Sequence, residues 1–296
     1  MRKFIIVILL LCFLGIFGYA AYNIYNISSE HNEEMQIYND LDDIINQANQ
    51  TVIINTPMIT ISPIETDLPE ITKLPDIVIN KPTAEPIDNQ TDEPINIEVT
   101  APVFSKAAWR KLREINKDFI GYLAFDTGSI KEPVVQSFDN NYYLHKNIYR
   151  ESHSHGTVFM NYLNKLDDMN LVLYGHNNRN SYWVKFASLN KMYNDTNYYR
   201  ENAYFNFYLE NEVRRYVICY VLMRADNDGG FDHQTTNFTE EMFNNYFEYV
   251  KINNTVNSID QIEFGDKFIT LQTCKRGNRQ YRIVVIAKEI GRFNYN

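Results

Sequence analysis

The pattern of hydrophobic and polar positions divides the chain into three regions. An apolar or small stretch without charge runs from Phe4 to Tyr22. A region rich in proline, threonine and acidic residues follows it, and from Phe104 onward short apolar runs alternate with polar residues. The pattern predicts a membrane anchor at residues 1–22, a mostly disordered extracellular stalk at residues 23–103 and a folded domain at residues 104–296.

The N-terminal stretch is nearly long enough, at about 1.5 Å per helical residue, to cross a hydrocarbon core of about 30 Å. Arg2 and Lys3 precede it, and the next charge is Glu30. The positive-inside rule therefore predicts a single-pass protein with a cytoplasmic N-terminus and an extracellular folded domain. A cleaved signal peptide is the alternative, because Gly18-Tyr19-Ala20 resembles a cleavage site. However, the apolar stretch is longer than the hydrophobic region of a signal peptide, which usually has about 7–15 residues.

The region between the anchor and the folded domain has the composition of a tether. Residues 28–47 are suited to a short helix, and prolines then recur from Pro57 to Pro94. Each proline removes a backbone donor and favours an extended predecessor. We interpret this region as a semi-extended stalk without a binding role.

The third region predicts a mainly β domain. Residues 107–115 have helical spacing, and residues 182–192 and 240–250 are also predicted to be helical. Eight short strands with these helical insertions predict a closed or nearly closed β-barrel preceded by a helix. The predicted strands are Ile120–Phe125, Val134–Gln136, Thr157–Asn161, Leu171–Tyr174, Phe205–Leu209, Arg214–Leu222, Phe268–Thr273 and Arg282–Lys288.

Charge and cysteine content narrow the function. The net charge of −9 argues against a nucleic-acid-binding protein. Cys12 lies in the predicted anchor, and Cys219 lies in an apolar run where it reads as a small buried hydrophobe. A disulfide between Cys219 and Cys274 is possible in an exported protein; otherwise Cys274 is an unpaired thiol that could be reactive.

Cys274 ends the strand-like run Phe268–Thr273 and precedes polar, turn-forming residues. A side chain at a strand end can meet solvent while its backbone stays rigid, which suits a nucleophile. Nearby Lys275 and Arg276 favour the thiolate. The alternative is a structural cysteine that caps a core strand.

Two further side chains could act with such a nucleophile. His176 follows the strand 171–174 and a glycine, and its ordinary pKa near neutrality suits proton transfer. Arg282 opens the last strand, where its charge is costly to bury unless paired or functional, and it could stabilise an oxyanion. The alternatives are a turn histidine without a role and an arginine that reaches water, with Arg276 and Arg279 as rivals for the cationic role.

A metal or cofactor site is not predicted. His153-Ser154-His155 could be half of a metal site, but no cysteine or carboxylate at a recognised spacing completes it. We interpret this segment as a solvated loop and expect no metal and no cofactor. The sequence also has no Gly-rich phosphate loop or GxSxG elbow.

Taken together, the three chemical clusters resemble the sortase family, and class B most closely. The family pattern stands here as Tyr174-Gly175-His176, Thr270-Leu271-Gln272-Thr273-Cys274 and Arg282, and Asp139–Leu144 is similar to the family's Asp-Asn-x-x-Tyr-Leu segment. The resemblance covers roughly residues 104–289. The helix before the barrel and the insertion at about 226–256 indicate class B, whereas Gln272 departs from the serine often found in that class.

The resemblance implies a membrane-anchored cysteine transpeptidase that cleaves exported proteins after a threonine in a C-terminal sorting motif. A Cys274 thioester would then pass the protein to a cell-wall amine of a peptidoglycan precursor, with His176 moving protons and Arg282 stabilising the oxyanion. The implied substrate-positioning residues are Asn140, Tyr174, Gln272 and Thr273. The alternatives are a hydrolytic cysteine protease that uses the same catalytic residues and a non-catalytic surface binding module.

Overall fold

The computed structural model describes residues 2–55, 104–177, 185–225, 232, 234–278 and 280–295. The described α-helices are α1 Arg2–Asn55, α2 Lys106–Ile115, α3 Leu189–Asn194, α4 Thr196–Glu201 and α5 Glu240–Asn253, and a 3₁₀ turn spans Tyr142–Leu144. The described strands are β1 Phe119–Phe125, β2 Lys131–Val135, β3 Val158–Met160, β4 Asn170–Tyr174, β5 Tyr204–Tyr208, β6 Glu212–Ala225, β7 Phe268–Cys274 and β8 Tyr281–Asn294.

The eight strands close into a barrel in the order β1-β2-β3-β4-β7-β8-β6-β5. Pairs β2–β3 and β4–β7 are parallel, and the other neighbouring pairs are antiparallel. The predicted mainly β barrel with a preceding helix is therefore confirmed, and each predicted strand is present. The helix predicted at 182–192 begins later, at Leu189, and its residues 182–184 lie outside the described part of the chain; α4 was not predicted.

Alternation along β7 and β8 separates the barrel interior from its outer face. Ile269, Leu271, Ile283 and Val285 belong to the interior core. The intervening positions, such as Val284, pack outward into a second cluster that is covered by α5. Because successive side chains of a strand point to opposite faces, Cys274 and Arg282 fall on the outer face.

The N-terminal half of helix α1 is apolar and exposed, whereas its C-terminal half packs against the folded domain. Within the described residues, one N-terminal helix is long and apolar enough to span a membrane, and its apolar side chains are exposed. Beyond it, Ile37, Leu41, Ile45 and Ala48 recur on one face and are buried against α2 and the outer face of the barrel. The helix thus continues through residues predicted as stalk; residues 56–103 lie outside the described part, and the domain division stays a prediction.

A buried polar cluster joins α1 to the barrel. Lys185 Nζ lies 2.8 Å from Glu34 Oε1 and 3.5 Å from Glu132 Oε2. The Tyr38 hydroxyl donates to Glu132, and the Lys185 backbone N–H donates to the same carboxylate at 3.0 Å. Burial acts to raise the pKa of Glu34, but the Lys185 ammonium and the hydrogen bond from His155 lower it to about 2. Removing one member of such a cluster leaves a buried charge unpaired and costs about 3–5 kcal/mol.

His153 and His155 belong to this cluster, so the interpretation of their segment as a solvated loop is wrong. Both residues are buried, with 5% and 9% of their surface exposed. Their local sequence is polar, and helix α1 covers them from a distant part of the chain. His153 Nε2 and His155 Nδ1 each lie 3.3 Å from Glu34 Oε2.

Gly156 holds this segment against the turn that precedes it. Its φ of +57° lies in the left-handed region, and a Cβ there would lie 2.3 Å from the Tyr143 carbonyl oxygen and 2.7 Å from that of Leu144. The next residue, Thr157, donates its backbone N–H to Tyr143 at 3.0 Å. Only glycine allows the two backbones to approach this closely.

We therefore expect Gly156→Ala to destabilise the fold by about 2–5 kcal/mol, from left-handed strain of about 1–2 kcal/mol plus overpacking of about 1–3 kcal/mol. The control is Gly128→Ala, which has a φ of +73° but meets nothing closer than Lys131 Cε at 3.4 Å. Gly128→Ala should therefore be destabilised only by the left-handed strain of about 1–2 kcal/mol. Chemical denaturation of the two variants measures the difference, and equal losses would contradict the steric argument.

Candidate active site

All seven residues singled out from the sequence line one groove on the outer face of the barrel, with a volume of about 180 Å³. Strands β4 and β7 run parallel and end at the same edge, which brings residues separated by about a hundred positions together. The groove is lined by His176, Cys274, Arg282, Asn140, Tyr174, Gln272 and Thr273, together with Leu144, Phe159, Gly175 and Gln234.

Cys274 and Arg282 are placed by strand register. They are directly paired at the ends of β7 and β8. Paired residues on adjacent strands point to the same face, so thiol and guanidinium share the groove. Both residues are half-buried, which leaves them accessible to a substrate.

Cys274 is also chemically distinct from the other cysteines. All three cysteines are free, so the possible Cys219–Cys274 disulfide is absent. Cys219 is fully buried beneath α5, and burial raises the pKa of its thiol to about 12. Cys12 is exposed on the apolar half of α1. Among the three, Cys274 alone lies in a groove that holds a histidine and an arginine.

His176 is held in the groove through its backbone and its ring. The preceding Gly175 donates its N–H to the Gln272 carbonyl at 3.1 Å, which continues the β4–β7 pairing by one residue. The ring Nε2 lies 2.8 Å from the Leu144 carbonyl oxygen. A carbonyl only accepts, so this bond places a proton on Nε2 and leaves the Nδ1 lone pair available in the neutral ring. Burial lowers the pKa of His176 and favours that neutral form.

The glycine before His176 is required by packing. A Cβ on Gly175 would lie 2.6 Å from Cγ of Phe186, a fully buried ring. A larger residue would therefore displace either the Phe186 ring or the backbone that carries His176.

Sequence reasoning missed the residues that hold the backbone of the cysteine. Asn177 Nδ2 donates to the Cys274 carbonyl at 2.7 Å, and Asn190 Nδ2 donates to it at 3.4 Å. Asn190 also accepts from the Arg276 backbone N–H at 2.7 Å. The adjacency of Asn177 to His176 was visible in the sequence, but its partner, 97 residues away, was not.

Two of the predicted substrate-positioning residues carry unused polar atoms. Gln272 Oε1 and Thr273 Oγ1 are buried and have no hydrogen-bond partner within the described residues. By contrast, Tyr174 accepts from Asn161 Nδ2 at 3.2 Å, and Asn140 accepts from the Tyr162 backbone N–H at 3.0 Å. Buried polar atoms without partners are costly, and a ligand that supplied them would offset that cost.

A second opening, of about 360 Å³, meets the first groove at Cys274 and His176. It is lined by Arg276, His145 and His155, and by Glu30 from α1. Of the rival arginines, Arg276 thus lies in the second opening, and Arg279 lies outside the described residues. The reacting side chains therefore have open space on two sides.

Comparisons with known proteins identify relatives of the chain. The chain is 32% identical over 169 residues to a sortase B from Listeria monocytogenes, covering 56% of the chain and 66% of that protein. It is 27% identical over 191 residues to a sortase B from Staphylococcus aureus, covering 62% of the chain and 74% of that protein. The solved sortase B of Clostridium perfringens is 32% identical, with a TM-score of 0.55, covering 62% of the chain and 99% of that structure. No protein-family model matches the chain.

The closed barrel and these similarities place the chain in the sortase family. The chain belongs to the class B sortases. It spans just under two thirds of the length of the Listeria relative.

The burial of His176 leads to a testable prediction. Its pKa is lowered from 6.5 because burial disfavours the charged imidazolium, so the ring stays neutral at lower pH than an exposed histidine. In a Cys274→Ala variant, NMR titration of His176 should give a midpoint below 6.5. The urea-unfolded chain is the control and should titrate near the ordinary value.

The lowered pKa of His176 should also be visible in the pH dependence of kcat/KM. If the neutral ring takes the thiol proton, the acid limb of the kcat/KM profile should also lie below pH 6.5, since activity is lost only when the ring becomes protonated. An NMR midpoint at or above 6.5 would contradict the assigned environment of His176.

Proposed function

We propose that the chain is a membrane-anchored transpeptidase in which Cys274 is the nucleophile, His176 the proton carrier and Arg282 the oxyanion-stabilising group. The observation that carries the proposal is the shared groove: Cys274, His176 and Arg282 come from the ends of three strands and line one open surface. A thiol, a neutral imidazole and a fixed positive charge can together perform acyl transfer.

The first half of the reaction cleaves the substrate. His176 takes the proton of the Cys274 thiol, and the thiolate attacks the carbonyl carbon of a threonine in a C-terminal sorting motif. Arg282 stabilises the resulting oxyanion, an interaction worth about 2.7–4 kcal/mol when the geometry is tight. The carbon–nitrogen bond then breaks, the imidazolium gives its proton to the departing amine, and a thioester remains on Cys274.

The second half joins the substrate to an acceptor. An incoming amine attacks the thioester carbonyl and gives a proton to His176. The carbon–sulfur bond breaks, a new amide forms, and Cys274 leaves as a thiolate that recovers its proton from His176. The thioester is already an activated acyl group, so the proposed exchange needs no ATP.

The buried polar atoms of the groove support a role in substrate positioning. A bound peptide could donate a backbone N–H to Gln272 Oε1, which has no hydrogen-bond partner among the described residues. Thr273 lines the same groove, but its side chain alternates with those of Gln272 and Cys274 and faces the barrel interior. Tyr174 and Asn140 line the same groove and would contact the motif through their side chains. Such contacts would hold the scissile carbonyl beside the thiolate.

The apolar half of α1 supports the proposed localisation. In the proposal it spans the cell membrane once, with the N-terminus in the cytoplasm and the barrel outside. The partners would be exported proteins that carry a C-terminal sorting signal and a peptidoglycan-precursor amine. An anchor that holds enzyme and lipid-linked acceptor at one surface raises their effective concentration.

Product analysis tests the reaction. Incubated with a library of threonine-containing peptides, the chain should form a Cys274 thioester that hydroxylamine converts to a peptide hydroxamate, detected by mass spectrometry. Cys274→Ala should abolish turnover while circular dichroism shows a preserved fold. Products unaffected by hydroxylamine or any other amine would support the hydrolytic protease, and unchanged activity of Cys274→Ala would exclude both enzymes.

Two arginines near the thiol allow the oxyanion role to be tested. Arg282→Ala should lower kcat/KM about 10²–10³-fold, because one oxyanion-stabilising group is removed. Arg276→Ala, in the second opening, is the matched control and should cost less than tenfold. The reverse order would move the role to Arg276.

Membrane orientation is tested on the full chain in a bacterial host. External protease should digest a C-terminal epitope and leave an N-terminal epitope intact, because the anchor leaves only the barrel outside. The mass of the purified chain should include residues 1–22. A chain that begins after Ala20 would support the cleaved signal peptide instead.

A further inference from the structure

We propose that Glu34, His153 and His155 form a binding site for a divalent transition-metal ion of the zinc class, which joins α1 to the barrel beside the candidate active site. The three residues were not connected by sequence reasoning because Glu34 lies 121 positions before His155. The proposal therefore departs from the expectation that the chain has no metal site.

Two of the three distances between the ligand atoms already match a tetrahedral centre. Glu34 Oε2 lies 3.3 Å from His153 Nε2 and 3.3 Å from His155 Nδ1, and all three atoms lie within 4.8 Å of one another. Metal–ligand bonds of about 2.0–2.2 Å at tetrahedral angles separate neighbouring ligand atoms by roughly 3.3–3.6 Å. Two histidines and one glutamate are also a ligand set that zinc uses in proteins.

A buried nitrogen that makes ion-pair contacts but no hydrogen bond faces this space. The His153 side chain is only 2% exposed, and its Nε2 has no hydrogen bond within the described residues. An unsatisfied polar atom of this kind is costly, and coordination would remove that cost. Glu33, whose Oε1 lies 4.0 Å from the same nitrogen and which is 54% exposed, is placed to supply a fourth ligand.

The charges around the site leave one carboxylate oxygen for a cation. Lys185 pairs with Oε1 of Glu34 and with Glu132, whereas Oε2 of Glu34 faces the two histidines. The ion pair with Lys185 Nζ, 2.8 Å from Oε1, favours the ionised carboxylate of Glu34. Ionised carboxylate and neutral imidazole are the forms that bind metals.

Binding requires both imidazole rings to change tautomer. His155 Nδ1 donates to Glu34 Oε2 at 3.3 Å, so its proton would move to Nε2 when Nδ1 binds the ion. The backbone N–H of His155 donates to Nδ1 of His153 at 3.3 Å, which places the ring proton of His153 on Nε2. Coordination through Nε2 would move that proton to Nδ1 and release this long contact. No change in net protonation is needed.

The location gives the ion a structural role. Glu34 belongs to α1, and the two histidines precede β3, so a bound ion would fasten the helix to the barrel. His155 also lines the opening that contains Cys274 and Glu30. Metal binding would therefore hold this wall of the candidate active site in place.

The test uses the full chain in detergent, without a polyhistidine tag and with Cys274→Ala, so that the candidate nucleophile cannot bind the probe. Titration calorimetry with Zn²⁺ should give one ion per chain, and Co²⁺ should give the visible absorption of a four-coordinate centre. His155→Ala and Glu34→Gln should each weaken binding at least tenfold. His31→Ala, an exposed histidine on the same helix, is the matched control and should bind as the parent does.

Folding is followed separately, because Glu34→Gln also weakens the Lys185 cluster. Zn²⁺ should raise the melting temperature of the parent by several degrees and leave that of a folded His155→Ala variant unchanged. Equal zinc affinity in parent and His155→Ala, or no binding by the folded parent, would overturn the proposal. Neither readout depends on peptide cleavage, so the result is independent of the proposed transpeptidation.

Discussion

The candidate site depends on the register of β7 between its two neighbours. Parallel pairing with β4 sets Gln272 beside Tyr174, and antiparallel pairing with β8 sets Cys274 opposite Arg282. Side chains alternate along a strand, so a shift of one residue would turn Cys274 into the barrel interior. Interior residues on one face and the α5 cluster on the other make that shift expensive, because both faces of these strands are buried. Packing of the core therefore determines which side chains meet in the groove.

The groups next to the candidate nucleophile are held in place by hydrogen bonds. The Cys274 carbonyl is held by two asparagines, and the His176 ring is held by the Leu144 carbonyl. The segment that provides this carbonyl is itself pressed against Gly156. Positions of the reacting atoms thus rest on main-chain contacts, which vary less than contacts between long side chains. Such preorganisation lowers the cost of reaching a reactive geometry.

Much of this arrangement follows from the sequence, and the part that does not has a common physical cause. Short apolar or alternating runs located each strand of the described part of the chain, and polar residues at strand ends located the groove residues, because both signals are local. The burial of His153 and His155 was not predictable in that way. It results from the docking of α1, where the helical spacing of Ile37 and Leu41 marks an apolar face but does not show which surface it packs against. Asn177 and Asn190 were missed for the same reason, since their partner is a backbone oxygen far along the chain.

The continuous helix α1 would set the distance between the candidate active site and the membrane surface. Glu30, which borders the opening at Cys274, follows Tyr22 by eight residues, a rise of about 12 Å in a helix. With the proposed anchor, the reacting thiol would sit close to the lipid headgroups, at a distance fixed by a stiff rod. The length of residues 56–103, which connect α1 to α2, would then have no influence on that distance. Lengthening this connection would leave the reach of the enzyme unchanged, whereas adding turns to α1 between Tyr22 and Glu30 would lift it away from acceptors embedded in the bilayer.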